Sequence, residues 1–138
     1  MIRRQEVIIC GWQPGQGRRA NTIGSLLLGV YDDDRLLYAG NVGTGFTEAM
    51  LADLMRQLGP LQHDTGPFGM PVPPRYARRS HWVEPRLVGE VAFSKWTADG
   101  SMRHPSWHGL RAGKDPRQVH RDGRGLCGNG FIREGPGP

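Results

Sequence analysis

Thr47-Glu48-Ala49-Met50-Leu51-Ala52-Asp53-Leu54-Met55-Arg56-Gln57-Leu58 sets its large apolar residues at three- and four-residue steps. Met50, Leu51, Leu54, Met55 and Leu58 therefore form one stripe of an amphipathic helix packed on a core. Thr47 is placed to cap the first turn, Glu48 suits the positive end of the helix, and Gly59-Pro60 predicts its stop. The flanking sequence has a different texture. Residues 6–12, 25–31 and 36–42 are short, apolar and rich in branched side chains, which predicts three strands before the helix. Residues 87–97 and 101–107 predict two more after it, joined at Ala98-Asp99-Gly100, where Asp-Gly is a strong hairpin signal. Leu87, Val91 and Phe93 are expected to share one face of the first of these.

Three strands, one helix and two strands make an all-β chain with one helix. The order is that of an oligonucleotide-binding (OB) fold, a five-stranded Greek-key barrel with the helix between strands three and four. The expected domain covers residues 1–120. Residues 60–80 are Pro-rich and read as irregular. Residues 121–138 lack periodicity, and a Gly/Pro-rich disordered tail is expected there.

The chain has 138 residues, enough for one core and no second sizeable domain. No apolar run approaches a membrane span, and the start lacks a secretory pattern. The balance of 18 Lys+Arg to 13 Asp+Glu gives a net charge of +5, which favours an anionic partner. The surplus is local: residues 75–124 hold 11 Lys+Arg against 5 Asp+Glu.

Several features read most simply as structure. Cys10 and Cys127 fit no zinc spacing and are expected as reduced thiols. Asp32-Asp33-Asp34 suits a hairpin tip with no bound metal. Gly40-Asn41-Val42-Gly43-Thr44-Gly45-Phe46 lacks the surroundings of a nucleotide-binding loop, so its glycines serve a strand-to-helix turn. Trp12, Trp96 and Trp107 are expected in core or rim packing rather than on bases.

Arg103-His104-Pro105-Ser106-Trp107-His108-Gly109-Leu110-Arg111 leads into Ala112-Gly113-Lys114-Asp115, which sets two cations three residues apart after the last strand. This stretch is collinear with Arg4-Gln5-Glu6-Val7-Ile8-Ile9-Cys10-Gly11-Trp12-Gln13-Pro14-Gly15, Gly24-Ser25-Leu26-Leu27-Leu28-Gly29, the glycine-bearing 39–46 segment, Val83-Glu84-Pro85 and Val88-Gly89-Glu90-Val91. Together they closely resemble the C-terminal OB domain of bacterial ATP-dependent DNA ligases, especially the ligase D-type enzymes of non-homologous end joining. The resemblance runs over residues 4–120.

That resemblance implies a DNA repair role beside a nucleotidyltransferase domain. In such ligases a lysine of Lys-x-Asp-Gly takes AMP from ATP and passes it to a 5′-phosphate at a nick. The last barrel motif, typically Arg-x-Asp-Lys, faces the ATP in one pose and helps orient the leaving pyrophosphate. Arg111 and Lys114 correspond to its Arg and Lys. Gly113 stands where the motif has Asp, and Asp115 lies beyond Lys114. These 138 residues contain no Lys-x-Asp-Gly; the lysines are Lys95 and Lys114. The chain alone is therefore expected to be inactive and to bind no cofactor, with ATP and Mg²⁺ entering through the nucleotidyltransferase domain. The expected partners are that domain and duplex DNA at nicks or ends, with no membrane, in the bacterial cytoplasm at the nucleoid. Arg18, Arg19, Arg86, Lys95 and Arg103 are the candidate phosphate contacts, as cations on or beside barrel strands and loops. Two other readings stand beside this one: a stand-alone module for single-stranded nucleic acid, and an inert truncated remnant.

Overall fold

The computed structural model describes residues 2–69, 72, 74 and 78–121. Apart from Arg121, the predicted tail lies outside the described residues, as do Cys127 and Arg75. The described chain is mostly β with one α-helix. Its strands are β1 (Arg3–Pro14), β2 (Ile23–Asp32), β3 (Arg35–Val42), β4 (Gln62–His63), β5 (His81–Val83), β6 (Val88–Phe93), β7 (Lys95–Trp96), β8 (Met102–Arg103) and β9 (Ser106–Leu110). The helix α1 (Glu48–Leu58) follows β3. Among the described residues no helix is long and apolar enough to cross a membrane.

The twelve-residue β1 is the spine of the main sheet. One edge pairs antiparallel with β2, and β2 with β3. The other edge is shared: residues 3–8 pair with β6, while Gly11 and Trp12 pair with β5. β6 in turn pairs with β9. Register shifts between Ile9 and Gly11, Leu28 and Gly29, and Glu90 and Val91 mark bulges, which bend strands and coil a sheet around its core. Trp107 N–H donates to the Thr44 carbonyl at 2.9 Å, bringing β9 to the chain leaving β3. Val7, Ile8, Ile9 and Cys10 are consecutive and fully buried, so β1 is covered on both faces.

The helix forms as its spacing predicts. Leu51, Leu54 and Leu58 are buried in the core, and Met50 and Met55 pack against it. The Thr47 hydroxyl accepts from Met50 N–H at 3.1 Å, which satisfies one of the unpaired donors of the first turn. Gly59 keeps right-handed helical angles, so the chain tightens into a 3₁₀ turn over Gly59–Leu61. Pro60, which lacks an N–H, ends the α-helical ladder.

Two strand predictions need correction. The segment expected as one strand over 87–97 is broken at Ser94, and the return over 101–107 is broken before Ser106. Pro105 has no N–H to give a ladder, and His104 takes a left-handed φ of 55°. The β6–β9 pairing therefore stops at Ala92 and Ser106. A separate ribbon, β7–β8, continues beyond it with Lys95 opposite Arg103. Its tip is the predicted turn: Gly100 sits at φ 88°, and the Thr97 hydroxyl donates to the Asp99 carboxylate, lowering that carboxyl's pKa. The segment over 60–80, expected to be irregular, holds the 3₁₀ turn and β4.

The chain after β9 is tied back to the sheet. Gln5 is buried, and its amide Nε2 donates to the carbonyls of Glu6 and His120, each at 2.7 Å. Tyr31 N–H donates to the Val119 carbonyl at 2.8 Å. Cys10 is a buried free thiol whose pKa is raised well above the usual range by desolvation.

Candidate functional site

The cation pair singled out in the sequence sits where β9 ends. Arg111 N–H donates to the Val88 carbonyl at 2.8 Å, which fixes its main chain beside β6. Gly113 then turns the chain at φ 79°, a left-handed conformation that an L side chain resists. Lys114 is thereby carried back over β1. The structure also accounts for the displaced acid. Asp115 caps the 3₁₀ turn Pro116–Gln118, with its carboxylate accepting from Arg117 N–H at 3.0 Å.

Beneath the two cations lie two carboxylates that the sequence did not single out. Glu6 of β1 and Glu90 of β6 are direct cross-strand partners. Lys114 Nζ lies 3.2 Å from Glu6 Oε1. Arg111 reaches both acids, with Nη1 3.4 Å from Glu90 Oε1 and Nε 3.8 Å from Glu6 Oε2. Arg4 approaches Glu90 at 3.8 Å from the other side. The acid side chains are 29% and 20% exposed, against 53% for Arg111 and 39% for Lys114. The acids form a floor and the cations form the surface. Charge-assisted pairing at such a floor restrains the long side chains while leaving N–H donors toward solvent.

The cations open onto a groove of about 310 Å³ between α1 and the β9 end. Asp53 and Gln57 line one wall; Arg86, Leu110, Arg111 and Lys114 line the rest. Arg86 also pairs with Glu84 at 2.9 Å. A groove with this cation set is suited to phosphate oxygens: an arginine can present a fork of donors and a lysine a compact charge. Among the described residues no group of three or more His, Cys, Asp or Glu side chains is placed to hold a metal ion.

The remaining candidate contacts are distributed. Lys95 and Arg103 face each other across the β7–β8 ribbon, and both are exposed. Arg18 is exposed on the 3₁₀ turn Gly17–Arg19 between β1 and β2, and Arg19 closes that turn. No ion pair joins either group to Arg111 or Lys114 among the described residues. The tryptophans pack as expected. Trp107 is buried against Phe46, Trp96 meets Phe93 edge-on, and Trp12 stacks on His81 with ring centroids 4.1 Å apart.

Arg4, Glu6 and Glu90 were legible only as strand residues. The sole local signal was Arg4 and Glu6 two residues apart, hence on one face of a strand. That Glu90 stands opposite Glu6 depends on the register between β1 and β6.

A family model described as "ATP dependent DNA ligase C terminal region" matches residues 19–114. The chain is 47% identical over 118 residues to the multifunctional non-homologous end joining protein LigD of Mycobacterium bovis, covering 86% of this chain and 16% of that protein. It is 40% identical over 119 residues to LigD of Pseudomonas aeruginosa, covering 84% of this chain and 14% of that protein. The chain thus spans less than a fifth of these curated relatives. It superposes on the crystal structure of the ligase domain from M. tuberculosis LigD with a TM-score of 0.83 at 45% identity, covering 88% of this chain and 39% of that one. A mycobacterial DNA ligase D complexed with ATP and MES gives a TM-score of 0.77 at 44% identity, covering 87% and 38%. The resemblance carried by the collinear motifs is borne out: the chain belongs to the family of ATP-dependent DNA ligase C-terminal regions, in its LigD type.

Proposed function

We propose that this chain works as the C-terminal OB domain of an end-joining ligase, assisting lysine adenylation on a nucleotidyltransferase domain and nick sealing on duplex DNA. The observation that carries the reading is the placement of Arg111 and Lys114 together at the mouth of one groove. In the adenylation pose these cations face the ATP and meet charge building on the leaving pyrophosphate, where fixed donors lower the barrier. In this reading β3-β2-β1-β6-β9 are the five strands of the Greek-key barrel, with α1 between the third and fourth in chain order. Magnesium arrives with ATP, and the setting is the bacterial cytoplasm.

The nucleophilic lysine belongs to the nucleotidyltransferase domain. Neither lysine of these 138 residues is followed by x-Asp-Gly. Lys114 is engaged by Glu6 and Lys95 is exposed on a ribbon. Incubating the chain alone with α-labelled ATP and magnesium is therefore expected to leave no label on protein. A covalent AMP adduct would overturn that assignment.

In the DNA-bound pose Arg18, Arg19, Arg86, Lys95 and Arg103 supply phosphate contacts. The ribbon pair supports this part of the reading. Like charges directly opposite on a sheet are unfavourable, and a phosphate between Lys95 and Arg103 would offset their repulsion. Each alanine substitution at these two positions is expected to reduce the salt-dependence slope of nicked-duplex binding by about 0.9. Fluorescence anisotropy over a salt series measures this, and unchanged slopes would remove the ribbon from the interface. The same titration against single strand tests the alternative module, since a clear preference for single strand favours it over the ligase reading.

A further inference from the structure

Glu6 and Glu90 stand directly across β1 and β6, an arrangement that costs free energy unless cations lie between them. The row continues into β9 at Gly109, the partner of Glu90. Gly109 has no side chain, and a Cβ there would enter open space. The surface above the acids is left to Arg111, which spans both, and to Lys114, which returns onto Glu6 after the Gly113 turn.

We propose that Glu6 and Glu90 are positioning residues for the Arg111–Lys114 pair. The inference rests on the reading of those cations as a phosphate grip. Arg111 donates from Nη1 to Glu90 at 3.4 Å and keeps Nε within ion-pair distance of Glu6 at 3.8 Å, so Nη2 and the second Nη1 hydrogen serve the phosphate. Lys114 is held beside it by the same Glu6. The acids do not cancel the site's field: Arg4, Arg111 and Lys114 against Glu6 and Glu90 leave one positive charge in excess. Side chains ordered before the phosphate arrives lose less freedom on meeting it. Glu6 and Glu90 touch neither ATP nor DNA in this scheme; they act through the two cations.

The test uses the full 138-residue chain with Glu6→Gln, Glu90→Gln and both together. The first readout is the ¹⁵N NMR signal of Arg111 Nε–H, which in a held guanidinium is displaced from free arginine and exchanges slowly with water. In the double variant it is expected to move to the free-arginine position and exchange faster. A signal already averaged in the unmodified chain, or unchanged in the double variant, overturns the proposal whatever the chain's function. The second readout is ATP-dependent adenylation of a LigD-type nucleotidyltransferase domain with the chain added in trans. The double variant is expected to lower the stimulated kcat by about tenfold while KM for ATP stays within about twofold, and Glu90→Asp to lose less than Glu90→Gln. Full stimulation by the double variant overturns the positioning role. Arg111→Ala is the separate check on the grip: if it still stimulates, the grip reading fails, while the NMR signal still decides whether the acids hold Arg111.

Discussion

Gly89→Ala is expected to lower the stability of the chain by about 3 kcal/mol, the upper part of the range for overpacking a close-fitted core. A Cβ on Gly89 would stand 2.1 Å from Cη2 and 2.7 Å from Cζ3 of Trp107. The indole is 3% exposed and cannot swing into solvent without vacating the core. Retreat is also hindered, because Phe46 stacks on the ring and Trp107 N–H is bonded to the Thr44 carbonyl. Gly45 closes the same corner: at φ 95°, a Cβ there would meet the Trp107 carbonyl oxygen at 2.5 Å. The measurement is urea unfolding, with a lower midpoint at unchanged slope. Trp107→Ala should be destabilising alone, yet the double variant should cost less than the sum of the single changes, since the clash has gone. Additive costs would show that Gly89 and Trp107 are not coupled. Function should suffer with stability, because β9 carries Trp107 and leads directly to Arg111.

Arg111→Ala is the second large effect, and it falls on activity. Adding the unmodified chain in trans to a LigD-type nucleotidyltransferase domain is expected to raise adenylation. Arg111→Ala should reduce that gain by at least about tenfold, roughly 1.4 kcal/mol of transition-state stabilisation. Arg111 spans both floor carboxylates, so its removal leaves Glu6 and Glu90 less well compensated, and a thermal melt must accompany the rate measurement. Arg111→Lys separates charge from geometry: a lysine restores a cation but not the planar fork, and should recover only part of the gain. An unchanged gain with Arg111→Ala would show that the groove does not serve adenylation.

The helix was readable because its information is local. Leu51, Leu54 and Leu58 recur at the helical period, and Thr47 stands at its start, so neighbours in the chain carry the signal. The 87–107 hairpin was readable in its turn and misread in its continuity. Asp99-Gly100 is a local signal, whereas the break between β8 and β9 depends on the left-handed φ of His104 beside a proline without a donor. Arg111 and Lys114 were singled out through the collinear resemblance, and the fold sets both on the lining of one groove.

The glycines and acids divide differently. Gly89 is one of 21 glycines, and nothing adjacent to it announces that a tryptophan 18 positions on will lie against its Cα face. Glu6 and Glu90 are separated by most of the chain, yet the register of β1 on β6 makes them neighbours. Residue order was sufficient for the single helix, the main strand segments and the family resemblance, because periodicity, caps and motifs are properties of consecutive residues. Tertiary structure alone decided which acids lie under Arg111 and Lys114 and which glycine receives the Trp107 ring. A strand's register is set by packing against a distant partner, and a shift of one residue would turn every side chain to the other face.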